Sequence, residues 1–157
     1  MFVLILGPNN SGKSAYAEKL IADLDGRKRY YIATMIPYGE EGKARVMKHL
    51  EMRENLHMVT LEDPYLENTS VLSGDSDVLL EDLSNLVANR MFEKGLESCD
   101  TIADELEALN RKVRNLVVVS IGGISSEGYD EETECYIRKL NEINCKVEGL
   151  ADRVVRM

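Results

Sequence analysis

A chain of 157 residues, 44% hydrophobic and 30% charged, suits one domain, 1–157, with a buried central sheet. Its net charge of −9 argues against a broad phosphate-backbone surface, so no nucleic-acid partner is expected. Three cysteines without a C-x-x-C pair and only two histidines exclude a Cys/His metal cluster and indicate reduced thiols in a cytoplasmic protein. No apolar run approaches the length of a membrane span, and the short N-terminal run lacks the basic flank of a signal peptide.

In chain order, Phe2–Leu6 is continuous and apolar, the pattern of a fully buried strand. Residues 14–24 predict a helix with Ala17, Leu20, Ile21 and Leu24 on one face, ended by Asp25-Gly26. Residues 30–34 form a second strand, followed by a turn with Pro37 and Gly39 and a helix over 40–54. A strand over 57–61 breaks at Glu62-Asp63-Pro64, and the polar stretch 65–76 reads as a short helix or a loop. Val78-Leu79-Leu80 is a strand leading into Glu81-Asp82. Helical spacing returns at Leu83, Leu86, Val87 and Met91 and stops at Gly95. Asp100 is expected to cap the next helix, with Ile102, Leu106, Leu109 and Val113 as its stripe. Residues 116–120 form the clearest buried strand, with a glycine- and serine-rich loop over 122–128 at its end. A long helix, 130–150, and a short last strand within 153–157 complete the chain. Strands alternating with helices predict an α/β fold: a doubly wound, mostly parallel sheet with helices on both faces.

The chemistry-bearing stretch is Gly7-Pro8-Asn9-Asn10-Ser11-Gly12-Lys13-Ser14, which fits G-x-x-x-x-G-K-[ST]. It stands between a predicted strand and a predicted helix, the context a phosphate-binding loop requires. Two glycines let the backbone curl so that successive N–H groups point at phosphate oxygens, and the helix N-terminus adds its dipole. Lys13 would reach the β- and γ-phosphates and the Ser14 hydroxyl would hold Mg²⁺. Glu81-Asp82, at the end of an apolar strand, matches the acidic position near that ion, and a strand of this kind is expected beside the first. Arg45, His49 and Arg53 recur at i, i+4 and i+8, which places them along one side of the 40–54 helix. Two guanidinium groups flanking a neutral imidazole suit phosphate chemistry, since arginine holds oxygens and imidazole can attack phosphorus. A solvated face with Glu41 and Glu54 as ion-pair partners gives the same spacing.

These residues together resemble the adenosylcobinamide kinase / adenosylcobinamide-phosphate guanylyltransferase family. The resemblance runs from GPNNSGKSAYAEKL through YYIAT at 30–34, Arg45-x-x-x-His49-x-x-x-Arg53, Glu62, VLLEDLSNLVAN at 78–89 and VVVS at 117–120 to Asn144 and LAD-x-V at 150–154. It implies the P-loop NTPase fold. It also implies an enzyme that phosphorylates the hydroxyl of a cobinamide with ATP or GTP, then transfers GMP from GTP through a guanylyl-histidine, with His49 as nucleophile. It extends the nucleotide site beyond the loop to Thr34, Arg45, Arg53, Glu62 and Glu81, assigns Mg²⁺ to Ser14, Glu81 and Asp82, and leads us to expect a homotrimer. The chain departs from the family pattern at Ser120–Ser125, where the usual Asn and Glu are missing, at Glu134, and at Asp82, where the family has Cys. A kinase alone, or a non-catalytic nucleotide-binding module, therefore stays open. Glu62, Glu81 and Asp82 are equal candidates for the base that accepts the substrate proton.

Overall fold

Continuous apolar runs make strands that are buried on both faces, and such strands need helices on both sides. The computed structural model describes residues 1–157 except 25, 27, 38 and 55, and only the backbone at 49 and 52. The strands are β1 (Phe2–Gly7), β2 (Lys28–Ala33), β3 (Met58–Glu62), β4 (Ser76–Glu81), β5 (Asn115–Ile121) and β6 (Arg153–Arg156). The helices are α1 (Lys13–Ala22), α2 (Gly39–Glu54), α3 (Leu83–Lys94), α4 (Ile102–Lys112) and α5 (Glu131–Leu150), with a single 3₁₀ turn at Leu96–Cys99.

The strands pair in the order β3-β2-β4-β5-β1-β6, and every described pairing is parallel. The sheet is thus wholly rather than mostly parallel. The order also corrects an expectation: β5, not β4, lies beside β1, so the strand carrying Glu81-Asp82 is one place removed from the loop. Alternation divides the core. Phe2, Leu4, Ile32, Leu80 and Val118 pack under α3, α4 and α5. Val3, Ile5, Tyr31, Leu79 and Val119 pack with Ala17 and Ile21 of α1.

Most expected elements form, with small shifts at their ends. α1 closes at Ala22, two residues before the expected stop, and Asp25 lies outside the described residues. Of the two alternatives for the polar stretch the loop is the one formed: residues 65–75 are loop and turns, and Ser76 already opens β4. Asp100 does not cap α4: Thr101 holds that position, and Asp100 instead accepts a hydrogen bond from Lys139 at 2.8 Å. The intervening 3₁₀ turn displaces Asp100 by one residue from the place where a cap is useful. Asp82 and Asp130 do cap, accepting from the backbone N–H of Asn85 and Thr133.

Candidate functional site

Parallel pairing puts all the C-terminal strand ends on one edge, where open α/β sheets bind ligands. The register is tight there. Ala33 lies opposite Glu62 on one side and Glu81 on the other, and Glu81 lies opposite Val119. β1 delivers its last residue, Gly7, to the same edge. The loop from there to Lys13 needs two residues in the left-handed region, Asn10 at φ 59° and Gly12 at φ 86°. A Cβ on Gly7 would stand 2.9 Å from the Ser11 hydroxyl oxygen and 3.2 Å from Met157, so the loop closes only around glycine. Lys13 is buried to 8% exposure, and its ammonium donates to the Pro8 carbonyl at 2.6 Å, within the curl of the loop.

A cavity of about 260 Å³ opens beside this loop. Asn9, Asn10, Lys13 and Ser14 form one wall; Glu81, Asp82 and Asn85 form another; Tyr31, Arg53 and Glu62 complete it. The expected loop, acid pair and second arginine therefore meet in one place. Thr34 stands behind that wall. It is fully buried, its hydroxyl donates to the Asp82 carbonyl and accepts from the Asp82 N–H, both at 2.8 Å, and its carbonyl accepts from Asn89. Pro8 lines a second cavity on the other side of the loop, with Gly122, Asn141 and Arg156.

Among the described side chains of α2 only Arg53 is buried, at 3% exposure. Its guanidinium lies over the Tyr31 ring, 3.7 Å from the centroid. Among the described residues no carboxylate comes within 4.0 Å of it, and its Nε has no acceptor. Arg45 is exposed, and Val46 rather than Arg45 reaches the cavity. Eight helical residues advance about 80° beyond two full turns, enough to carry position 45 to the solvent side while 53 points inward. Position 49 lies between them on the helix; the side chain of His49 is outside the described residues.

Two participants were not singled out from the sequence. Tyr31 donates its hydroxyl to Glu81 Oε2, while Glu81 Oε1 is buried without a partner among the described residues. Glu18, one turn after Ser14, is buried at 8% exposure on the inner side of α1. Burial, then the charge of Glu81, raises its carboxyl above the usual range, with Arg53 opposing. Glu18 could have been found from its spacing, since it follows Ala17 and precedes Ile21 on the apolar face; a charged residue there is rarely buried without a purpose. Burial likewise pushes the Asp82 carboxyl up to about 6, with the Asn85 amide and Lys13 pulling down and Glu81 adding to the rise. Burial and the Glu81 charge hold the Tyr31 phenol in its protonated form.

The donor set is all oxygen: the Ser14 hydroxyl and the Glu81 and Asp82 carboxylates. That chemistry fits Mg²⁺, and the orphaned Glu81 Oε1 offers an acceptor to the ion or its water. Mg²⁺ commonly takes one or two carboxylates and completes its shell with phosphate and water. The divergent segment at the end of β5 is tied to α5. Ser120 donates to Asn144 at 2.8 Å, Asn144 donates to the Ile121 carbonyl at 2.9 Å, and Asn141 donates to the Ile124 carbonyl at 3.1 Å. Glu134 lies on the first turn of α5.

A family model described as cobinamide kinase / cobinamide phosphate guanyltransferase matches residues 3–157. The bifunctional adenosylcobalamin biosynthesis protein CobU of Salmonella typhimurium is 36% identical over 101 residues, 62% of this chain and 54% of that protein. The protein of the same name from Escherichia coli is 32% identical over 124 residues, 74% of this chain and 66% of its own length. The chain thus aligns with between half and two thirds of the curated relatives it matches.

Proposed function

From the premise that the chain belongs to the cobinamide kinase / cobinamide phosphate guanyltransferase family, we propose that it phosphorylates a cobinamide with a nucleoside triphosphate and then guanylylates the product. The observation that supports this best is the shared cavity: a phosphate-type loop with Lys13 and Ser14, two carboxylates at the end of β4, and a buried guanidinium with no carboxylate partner among the described residues. Loop amides and Lys13 would hold the β- and γ-phosphates, and Arg53 would take a further phosphate oxygen. Mg²⁺, held by Ser14 and the β4 acids, would neutralise charge on the transferring group.

For the second reaction, a His49 nitrogen attacks the α-phosphorus of GTP. The bond to the bridging oxygen breaks and pyrophosphate leaves. An oxygen of cobinamide phosphate then attacks the same phosphorus, the P–N bond breaks, and the imidazole is restored. Two in-line displacements thus replace one.

The test is incubation with GTP labelled at the α-phosphate. An acid-labile, alkali-stable label on His49, absent from His49→Ala, is expected. A protein that binds GTP and phosphorylates cobinamide but takes no label is a kinase only. One that binds GTP and does neither is a binding module.

A further inference from the structure

The loop between β1 and α1 has a cavity on each side. Lys13, Ser14, Glu81, Asp82 and Arg53 line the smaller one, about 260 Å³, on the side of β4. It has to take the reacting phosphate, its ion and the acceptor hydroxyl. It falls below the roughly 300–1,000 Å³ of ordinary small-molecule sites, which leaves little room for a nucleoside. The larger one, about 570 Å³, takes Gly7 and Pro8 of the loop into its wall. Sheet order points the nucleoside there. β4 and β6 stand on opposite sides of β1, so a triphosphate whose γ end meets the β4 acids turns its nucleoside end toward β6. Arg156 and Met157, at the end of β6, line that cavity together with α5.

The wall is held by its own bonds. Asn144 of α5 is buried, with one end of its amide on Ser120 and the other on the Ile121 carbonyl, which ties α5 to the end of β5. Asn141, one turn earlier, donates to the Ile124 carbonyl at 3.1 Å, and its Oδ1 has no donor among the described residues. Arg156 donates to both oxygens of Glu148, at 3.3 and 2.8 Å. A forked pair of this kind pins the guanidinium in one plane and leaves its faces uncovered. Such a planar cation stacks on aromatic rings, nucleobases included, without reading their edges.

Given that the chain is a kinase as proposed, we infer that the cavity between the ends of β5, β1 and β6 and helix α5 seats the nucleoside of the phosphoryl donor. Its purine stacks on Arg156, and Asn141 Oδ1 accepts from a nucleoside hydroxyl or amino group. Guanylyl transfer needs the α-phosphorus at α2, on the β3 side of the sheet, so this seat serves the phosphoryl donor and not the guanylyl donor. Because stacking ignores base edges, adenine and guanine are held nearly alike.

Cys145 is exposed, lines this cavity and lies outside the phosphate loop, so it reports occupancy. Its alkylation by N-ethylmaleimide is followed by peptide mass with Mg²⁺ and ATP, GTP or inorganic tripolyphosphate, against the protein alone, with saturation set by calorimetry. ATP and GTP should each slow it at least about fivefold; tripolyphosphate, which fills the loop but has no nucleoside, should slow it less than about twofold. Nucleotides that bind yet protect Cys145 no better than tripolyphosphate overturn the seat and leave the loop assignment standing. Calorimetry that shows neither nucleotide binding removes the kinase reading, and the seat with it. Arg156→Ala should weaken ATP and GTP about three- to thirtyfold and tripolyphosphate less than about twofold. Arg156→Lys, which keeps the charge and loses the plane, should do the same. An equal loss for tripolyphosphate makes Arg156 a phosphate contact, and unchanged nucleotide affinity removes it from the site; either result overturns the stacking assignment.

Discussion

Single residues at this edge carry opposing demands, and Asp82 shows the conflict in measurable form. It caps α3, which favours a polar side chain, yet burial makes its charge expensive and pushes its carboxyl up to about 6. The ordinary value in the unfolded chain is 3.8. Between these two values the folded state binds the proton more tightly, so this group's contribution to stability falls as pH rises from about 4 to about 6 and stays low above that. Asparagine caps as well as aspartate but carries no charge. Asp82→Asn should therefore be more stable than wild type at pH 7 by roughly 3 kcal/mol, with the gain shrinking as pH falls toward 4. Urea unfolding at pH 7, 5.5 and 4 checks this, and an advantage that grows on acidification contradicts the sign. Residue-scale features were the least legible in the sequence. Glycines and lysine at 7, 12 and 13 announce themselves because backbone curvature and phosphate contact tolerate few alternatives. The burial of Glu18 has only its place beside Ala17 and Ile21 to announce it, and its neighbours Tyr31, Glu81 and Arg53 arrive from three other elements.

At the level of elements, the acid pair depends on a clasp between β2 and β4. Thr34, just past β2, both gives to and takes from the Asp82 backbone, and Asn89 of α3 closes over its carbonyl. These bonds connect two strand ends to the first turns of α3 inside a fully desolvated space, where an orphaned backbone group is costly. Thr34→Val keeps the shape and removes the hydroxyl, leaving the Asp82 N–H and carbonyl without it. A loss of about 2–4 kcal/mol in chemical denaturation is expected, largely recovered in Thr34→Ser. A loss below about 0.5 kcal/mol would mean that water replaces the clasp. Elements themselves were readable where one periodicity dominates: β1 and β5 as unbroken apolar runs, α4 and α5 as stripes. α2 was readable as a helix but not as a surface. Its spacing suggested three groups in a row, whereas 3.6 residues per turn rotates Arg45 out and leaves Arg53 as its one described buried side chain.

For the whole molecule, strand order decides what the loop faces, and order is the one property that no local pattern encodes. The acidic strand β4 is separated from β1 by β5, yet its acids still line the loop's cavity, because parallel registry aligns all six ends on one edge. The positive field there has to be local, since the chain as a whole carries −9. It comes from loop amides, from Lys13 and from Arg53, which line the same cavity. A polyphosphate bound at this edge would couple β1, α1, β4 and the end of α2, so binding should raise the stability of the entire domain rather than of one loop. Ligand at a hundred times its Kd stabilises by about 2.7 kcal/mol, and for a domain of this size each kcal/mol is worth about 2–4 °C. GTP with Mg²⁺ should therefore raise the Tm of wild type by roughly 5–11 °C in a two-state melt. Lys13→Ala loses an ammonium that lines that cavity and should shift by no more than about 2 °C at the same ligand concentration. An equal shift in the two proteins would mean that the nucleotide is held elsewhere on the molecule, and the loop between β1 and α1 would lose its assignment.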